Sequence, residues 1–199
     1  MANNKTKTTK LVLLGLLTAI LFVMSYTPLG YLKIFGIEIT FNVIPVAIAA
    51  IALGTSGGAT VGAVFGLTSF LQCVQGTSPF GATLLGINPV FAAIVCFVPR
   101  ILAGLISGAL HKPLTNKLGK KVPCFITGFL SAFLNTLFFM TALILLFGKT
   151  DYIMGMRGGA NLIVFVCTFV GINAVFEMLA STLISGAVGS ALYKAKAIK

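Results

Sequence analysis

Apolar residues run through this chain in long blocks broken by short polar, glycine- or proline-containing stretches, and they do not form the single stripe of an amphipathic helix. A helix that is apolar all round lies inside a large core or crosses a bilayer, and a crossing takes about 20 residues. Six blocks predict six spans. They run from Leu11 to Thr27, stopped by Pro28-Leu29-Gly30, then from Ile37 to Leu53, Gly58 to Gln75, Pro89 to Leu110, Val122 to Phe147 and Asn161 to Tyr193. The second is the least regular, carrying Asn42 and Pro45, and only Gly54-Thr55-Ser56-Gly57 separates it from the third, so these two must be antiparallel neighbours. The sixth outruns the bilayer, which predicts a tilt or an exit along the membrane surface. The expected architecture is an all-α membrane protein: one domain over residues 1–199, a compact bundle of six transmembrane helices with both termini cytoplasmic and residues 1–10 as a basic tail.

Composition agrees with lipid as the solvent. Of 199 residues, 58% are hydrophobic and 9% charged, against roughly 45–50% and 25% in soluble domains, too little polar surface to cover a water-soluble fold of this size. The net charge of +11 would suggest nucleic acid in a soluble protein. Here it sets orientation instead: with six spans, Lys5, Lys7, Lys10, Lys112, Lys117, Lys120, Lys121, Lys194, Lys196 and Lys199 share one side, against Lys33, Lys149 and Arg157 on the other. That bias makes the first side cytoplasmic, so the lysines are topology signals and no nucleic-acid partner is expected. The lysines before Leu11 resemble the start of a signal peptide, but no small-x-small pattern follows before Pro28, so the segment is read as a mature helix.

Glycines recur as Gly54, Gly58, Gly62 and Gly66, and again as Gly104 and Gly108. Small-xxx-small ridges let two helix backbones approach closely, here within the bundle. Gly15 and Ala19 form a similar pair on the first helix, which suggests a docking face for a partner protein.

Charges at bilayer depth cost about 2.5–3.5 kcal/mol on insertion scales and mark pathways or sites. Two qualify. Arg100 lies about 16 Å into the fourth helix, Glu177 about 24 Å into the sixth, with Asn173 one turn before it. Either the two charges pair and tie the helices together, or Arg100 is aimed at an anionic group entering from outside. Asn135 in the fifth helix sits within about a turn of the same depth, so Arg100, Asn135 and Asn173 suggest a shared polar pocket. Gln72 and Gln75 end the third helix on that side, followed by a glycine-rich loop from Gly76 through Asn88 to Pro89 suited to covering a small-molecule site.

Enzyme chemistry finds no support. Gly54-Thr55-Ser56-Gly57 matches the GxSG of intramembrane serine proteases, but His111, the one histidine, falls in a basic cytoplasmic loop. Gly148-Lys149-Thr150 resembles the end of a P-loop, yet Leu143 stands where the first glycine is required. Cys73, Cys96, Cys124 and Cys167 lie in apolar stretches without metal-site spacing and read as buried small hydrophobes. No metal, cofactor or catalytic residue is expected, and the chain is not read as an enzyme.

In their order along the chain, several short motifs resemble the substrate-binding S components of energy-coupling factor (ECF) transporters, bacterial vitamin importers. They are Thr27-Pro28-Leu29-Gly30, Ile44-Pro45-Val46, Gly62-x-x-x-Gly66-Leu-Thr-Ser69, Val98-Pro99-Arg100-Ile101-Leu102-x-Gly104 and Asn173-x-x-x-Glu177. The family's first helix carries Ala-x-x-x-Ala for docking, where this chain has Gly15 and Ala19. The resemblance implies a plasma-membrane protein that captures a water-soluble vitamin outside, joins a transmembrane coupling subunit and two ATPase subunits, and topples to release its cargo inside. On this sequence the family's binding regions contain Tyr31, Gln72, Gln75, Asn88, Arg100, Asn135 and Asn173. The chain is most similar to the pantothenate and hydroxymethylpyrimidine group. Pantothenate is preferred because its carboxylate suits Arg100, and the absence of Trp argues against a thiamine site built on indole stacking. Riboflavin, folate and niacin remain alternatives, as does an autonomous secondary transporter.

Overall fold

The computed structural model describes the backbone of residues 2–28, 30–34 and 37–198, and the side chains of these except 2–7, 31–34, 37–39, 162, 163, 169 and 172. The element order is α1 (Ala2–Ser25), β1 (Tyr31–Ile34), β2 (Ile37–Thr40), α2 (Val43–Gln75), α3 (Pro79–Ile87), α4 (Pro89–Leu118), α5 (Val122–Phe147), α6 (Asp151–Arg157) and α7 (Leu162–Lys194). Among the described residues five helices, α1, α2, α4, α5 and α7, are long and apolar enough to cross a membrane.

The second and third expected spans are the two arms of α2. At Gly54 the backbone adopts φ 75° and ψ −156°, a region essentially confined to glycine. The chain reverses there: a Cβ placed on Gly58 would lie 3.2 Å from the Cβ of Ala50, whereas residues eight apart in a straight helix are separated by about 12 Å. The arms, 43–53 and 55–75, therefore form a helical hairpin, and its turn is tighter than the four residues expected.

The second arm packs along α4 through the glycine ridge. A Cβ on Gly58, Gly62 or Gly108 would fall on the backbone of Gly104, Arg100 or Gly54 respectively, and one on Gly66 would come within 2.9 Å of Phe97 Cα. The ridge is thus consumed inside the bundle. Leu17 and Leu21 of α1 pack with Ile44, Val46, Val61 and Phe65 of α2, joined by Val188 and Leu192 of α7. Toward the far end Leu84, Val95, Leu143, Phe147, Ile153 and Phe165 join α3 to α7 in a second core.

Several expected boundaries are corrected. The second span starts at Val43, because Ile37–Thr40 pairs antiparallel with Tyr31–Ile34, Tyr31 opposite Thr40, one short hairpin in an otherwise helical chain. The segment 76–89 contains α3, started by Pro79 at its first turn and by Ser78 Oγ accepting from the Gly81 N–H. A further short helix, α6, begins where Thr150 Oγ1 accepts from the Ile153 N–H. Residues 2–10, expected as a tail, already belong to α1. The fourth helix continues to Leu118 and carries His111 inside it; the ring is buried because Thr127 Oγ1 lies 2.8 Å from Nδ1 and Tyr193 Oη 3.1 Å from Nε2. This contact ties α4 to α5 and α7 and occupies both ring nitrogens, while Ser56 is exposed. Cys167, expected to be buried, is exposed on α7.

Candidate functional site

A cavity of about 1080 Å³ opens at the end of the bundle where α1 finishes, away from the start of α1 and the end of α7. Its wall includes Gln72, Arg100, Asn135 and Asn173, which the structure brings to one space from four helices. It does not bring Gln75 or Asn88 there. Gln75 is exposed at the end of α2, and Asn88 Oδ1 accepts the Val90 and Phe91 N–H groups as the N-cap of α4, a role that suits a short polar side chain before Pro89. The side chain of Tyr31 lies outside the described residues.

Arg100 is positioned by its own helix. Pro99 has no N–H, so the carbonyl four residues earlier, Val95 O, lacks its helical donor. Arg100 Nη1 donates to that oxygen at 2.6 Å. The guanidinium lies over two rings, 5.3 Å from the centroid of Phe65 and 4.9 Å from that of Phe139, a cation–π arrangement that strengthens away from water. Among the described residues no ion pair joins Arg100 to Glu177. Glu177 Oε1 instead accepts the Thr40 N–H at 2.9 Å, so this buried carboxylate holds the end of β2 against α7 at the cavity wall.

Among the described residues lining this cavity, the buried polar atoms Thr27 Oγ1, Thr40 Oγ1, Arg100 Nε, a donor, and Asn135 Oδ1, an acceptor, have no hydrogen-bond partner. Buried polar groups are almost always paired, so an unmet donor and an unmet acceptor on one cavity call for a ligand offering the complementary atoms. Gln72 is engaged on the protein side, its Nε2 donating to Ser25 O at 2.6 Å and joining α2 to the end of α1.

Sequence reasoning missed the aromatic frame. Phe65 and Phe139 were indistinguishable from other apolar positions, although Phe139 follows Asn135 by one turn. Phe80 of α3 and Tyr152 of α6 also line the cavity, with ring centroids 6.1 Å apart, so the two short helices meet above it. Their cap residues, Ser78 before Pro79 and Thr150 before Asp151, were the available signal.

The role of Pro99 is open to test. Pro99→Ala restores an N–H that competes for Val95 O, so we expect a slightly raised melting temperature and ligand binding weakened several-fold, measured by thermal unfolding and titration. Unchanged affinity would mean that Phe65 and Phe139 alone aim the guanidinium.

The family model for the ECF transporter substrate-specific component matches residues 9–188. Among curated proteins, the chain is 34% identical to a pantothenate transporter, PanT, of Leuconostoc mesenteroides, over 96% of this chain and 95% of that one. It is 26% identical to a pantothenic acid transporter, PanT, of Lactococcus lactis subsp. cremoris, over 96% and 97% of the two chains.

Proposed function

The chain belongs to the family of ECF transporter substrate-specific components, and from that premise we propose that it captures pantothenate and delivers it to an ECF module made of a coupling subunit and two ATPase subunits. The observation that carries the ligand assignment is the unmet donor of Arg100 and the unmet acceptor of Asn135 in the wall of one cavity. Pantothenate has a carboxylate at one end, an amide in the middle and hydroxyls at the other end. Arg100 takes the carboxylate through charge-assisted bonds, and Asn135 Oδ1 accepts from the amide or a hydroxyl. The names of the two PanT relatives agree with this chemistry. Gln72 and Asn173 complete the polar wall.

On this reading the six membrane segments are α1, the two arms of α2, α4, α5 and α7, the short first arm of α2, 43–53, entering only part of the bilayer. Both termini face the cytoplasm of a bacterium, following the lysine bias, and the cavity faces outward. The protein supplies binding and no catalysis.

The test is a thermal-shift screen of the detergent-purified chain against pantothenate, hydroxymethylpyrimidine, riboflavin, folate and niacin. A ligand at 1,000 times its dissociation constant adds about 4 kcal/mol of stability, so pantothenate alone is expected to raise the melting temperature by several degrees. A rise with another vitamin reassigns the cargo. A folded sample that answers to none, yet takes up solute in proteoliposomes without partners, is an autonomous transporter.

Docking is assigned to the exposed face of α1. A Cβ on Gly15 meets nothing within 4 Å, and Ala19 is exposed beside it, so Gly15→Leu is tolerated by the isolated chain but obstructs close approach of a second helix. We expect this variant to bind pantothenate normally and to lose most uptake in vesicles containing the coupling and ATPase subunits. Lost binding with intact assembly would overturn the assignment.

A further inference from the structure

Two thiols face each other in the wall of the ligand cavity. Cys73 on the second arm of α2 and Cys96 on α4 have their Sγ atoms 3.8 Å apart; both are unoxidised, buried and part of the cavity lining. They sit on the helix pair joined through the glycine ridge, with Gly66 packed against Phe97 beside Cys96, so their separation is set by rigid backbones. Gly81 of α3 rests directly on Cys73 Sγ, which leaves the cavity as the approach. The gap is far longer than a disulfide bond of about 2.05 Å. It suits a single bridging atom: two bonds of about 2.3 Å, the length of a thiolate–zinc bond, span it at an angle of about 110°.

We propose that Cys73 and Cys96 form a dithiol modification site for thiophilic electrophiles of the trivalent arsenical class, sharing its space with the transported ligand. With phenylarsine oxide, two As–S bonds form and the As=O bond breaks. The two thiol protons leave with that oxygen as water. Arsenic and sulfur keep their oxidation states, so no oxidant enters. Arsenic then holds two sulfurs and its own phenyl carbon, and needs no third protein ligand. The bound phenyl group occupies the cavity beside Arg100.

The experiment is intact mass spectrometry of the detergent-purified chain after treatment with phenylarsine oxide. The expected product is one phenylarsenic group per chain, resistant to a monothiol wash and removed by 2,3-dimercaptopropanol. C73S and C96S should each abolish the resistant adduct, with C73A and C96A as second variants should either serine fail to give a monodisperse sample. The double variant C124S/C167S should keep it. Absence of the adduct from the wild-type chain, or its persistence in either single variant, overturns the site. The shared-space part rests on the pantothenate reading, and saturating pantothenate is expected to slow adduct formation at least tenfold. An adduct that forms at an unchanged rate, in a protein whose melting temperature pantothenate raises, overturns the shared space. The same rate with no thermal response traces the failure to the ligand assignment.

Discussion

Arg100→Gln is expected to weaken pantothenate binding about a hundredfold while changing the affinity for pantothenol, its uncharged alcohol counterpart, by less than about threefold. A hundredfold loss corresponds to about 2.8 kcal/mol, within the range for truncating one partner of a buried, hydrogen-bonded charge pair. The contrast between the ligands isolates the charge. Glutamine keeps a donor and much of the volume between Phe65 and Phe139, so an effect of packing alone would reach both ligands equally. Isothermal titration of the purified variant decides the matter, and equal losses would assign Arg100 to holding α4 and its aromatic neighbours in place. Arg100→Lys refines the test: it retains the charge, but an ammonium cannot lie flat between two rings while also reaching Val95 O. We expect it to fall between wild type and glutamine.

The same residue shows what was legible in the sequence. A charge eleven residues into an apolar helix stands out because lipid penalises it, and the proline before it was visible too. Their joint meaning was not, because a missing N–H on Pro99 becomes a means of orienting Arg100 only once the side chain is seen on Val95 O. Phe65 and Phe139 could not be picked out in a chain with 17 phenylalanines. Gln75 and Asn88 were drawn into the site because a polar residue at a span's outer end looks alike whether it binds a ligand, caps a helix or faces water.

The fold follows a similar division. The limits of α5 are those read from the apolar block, Val122 to Phe147, since Pro123 near its start and Gly148 after its end bound an uninterrupted run. The reversal at Gly54 was visible from glycine and shortness. The hairpin was not foreseen, although Ile37-Glu38-Ile39-Thr40 alternates and is rich in β-branched residues; its apolar content also satisfied the template for a span. Once Thr40 ends β2, Glu177 has a backbone donor to accept, and this local pairing replaces one of the two readings of the intramembrane charges.

The largest stability effect is expected at the contact that carries the site. Gly62 has no space for a side chain: a Cβ would fall on Arg100 O and lie 3.3 Å from Ile101 Cα, both backbone atoms of α4. No rotamer change relieves such a clash, so a substitution must push α2 away from α4. Overpacking typically costs about 1–3 kcal/mol and occasionally more, and a leucine here adds four carbons where not even the first fits. Gly62→Leu is therefore expected to lower the melting temperature by at least ten degrees, or to prevent recovery of folded protein. Gly62→Ala, which adds that first carbon alone, should survive and show a second effect: α4 shifts at Arg100 itself, so pantothenate affinity falls by more than the stability loss explains. Gly86, with nothing within 4 Å of an added Cβ, supplies the control, and Gly86→Ala should leave both properties unchanged. Thermal unfolding and titration of the three variants separate the possibilities. A Gly62→Ala protein with wild-type affinity would mean that α2 yields and leaves Arg100 where it was, and that the ridge holds the bundle together without setting the geometry of the site.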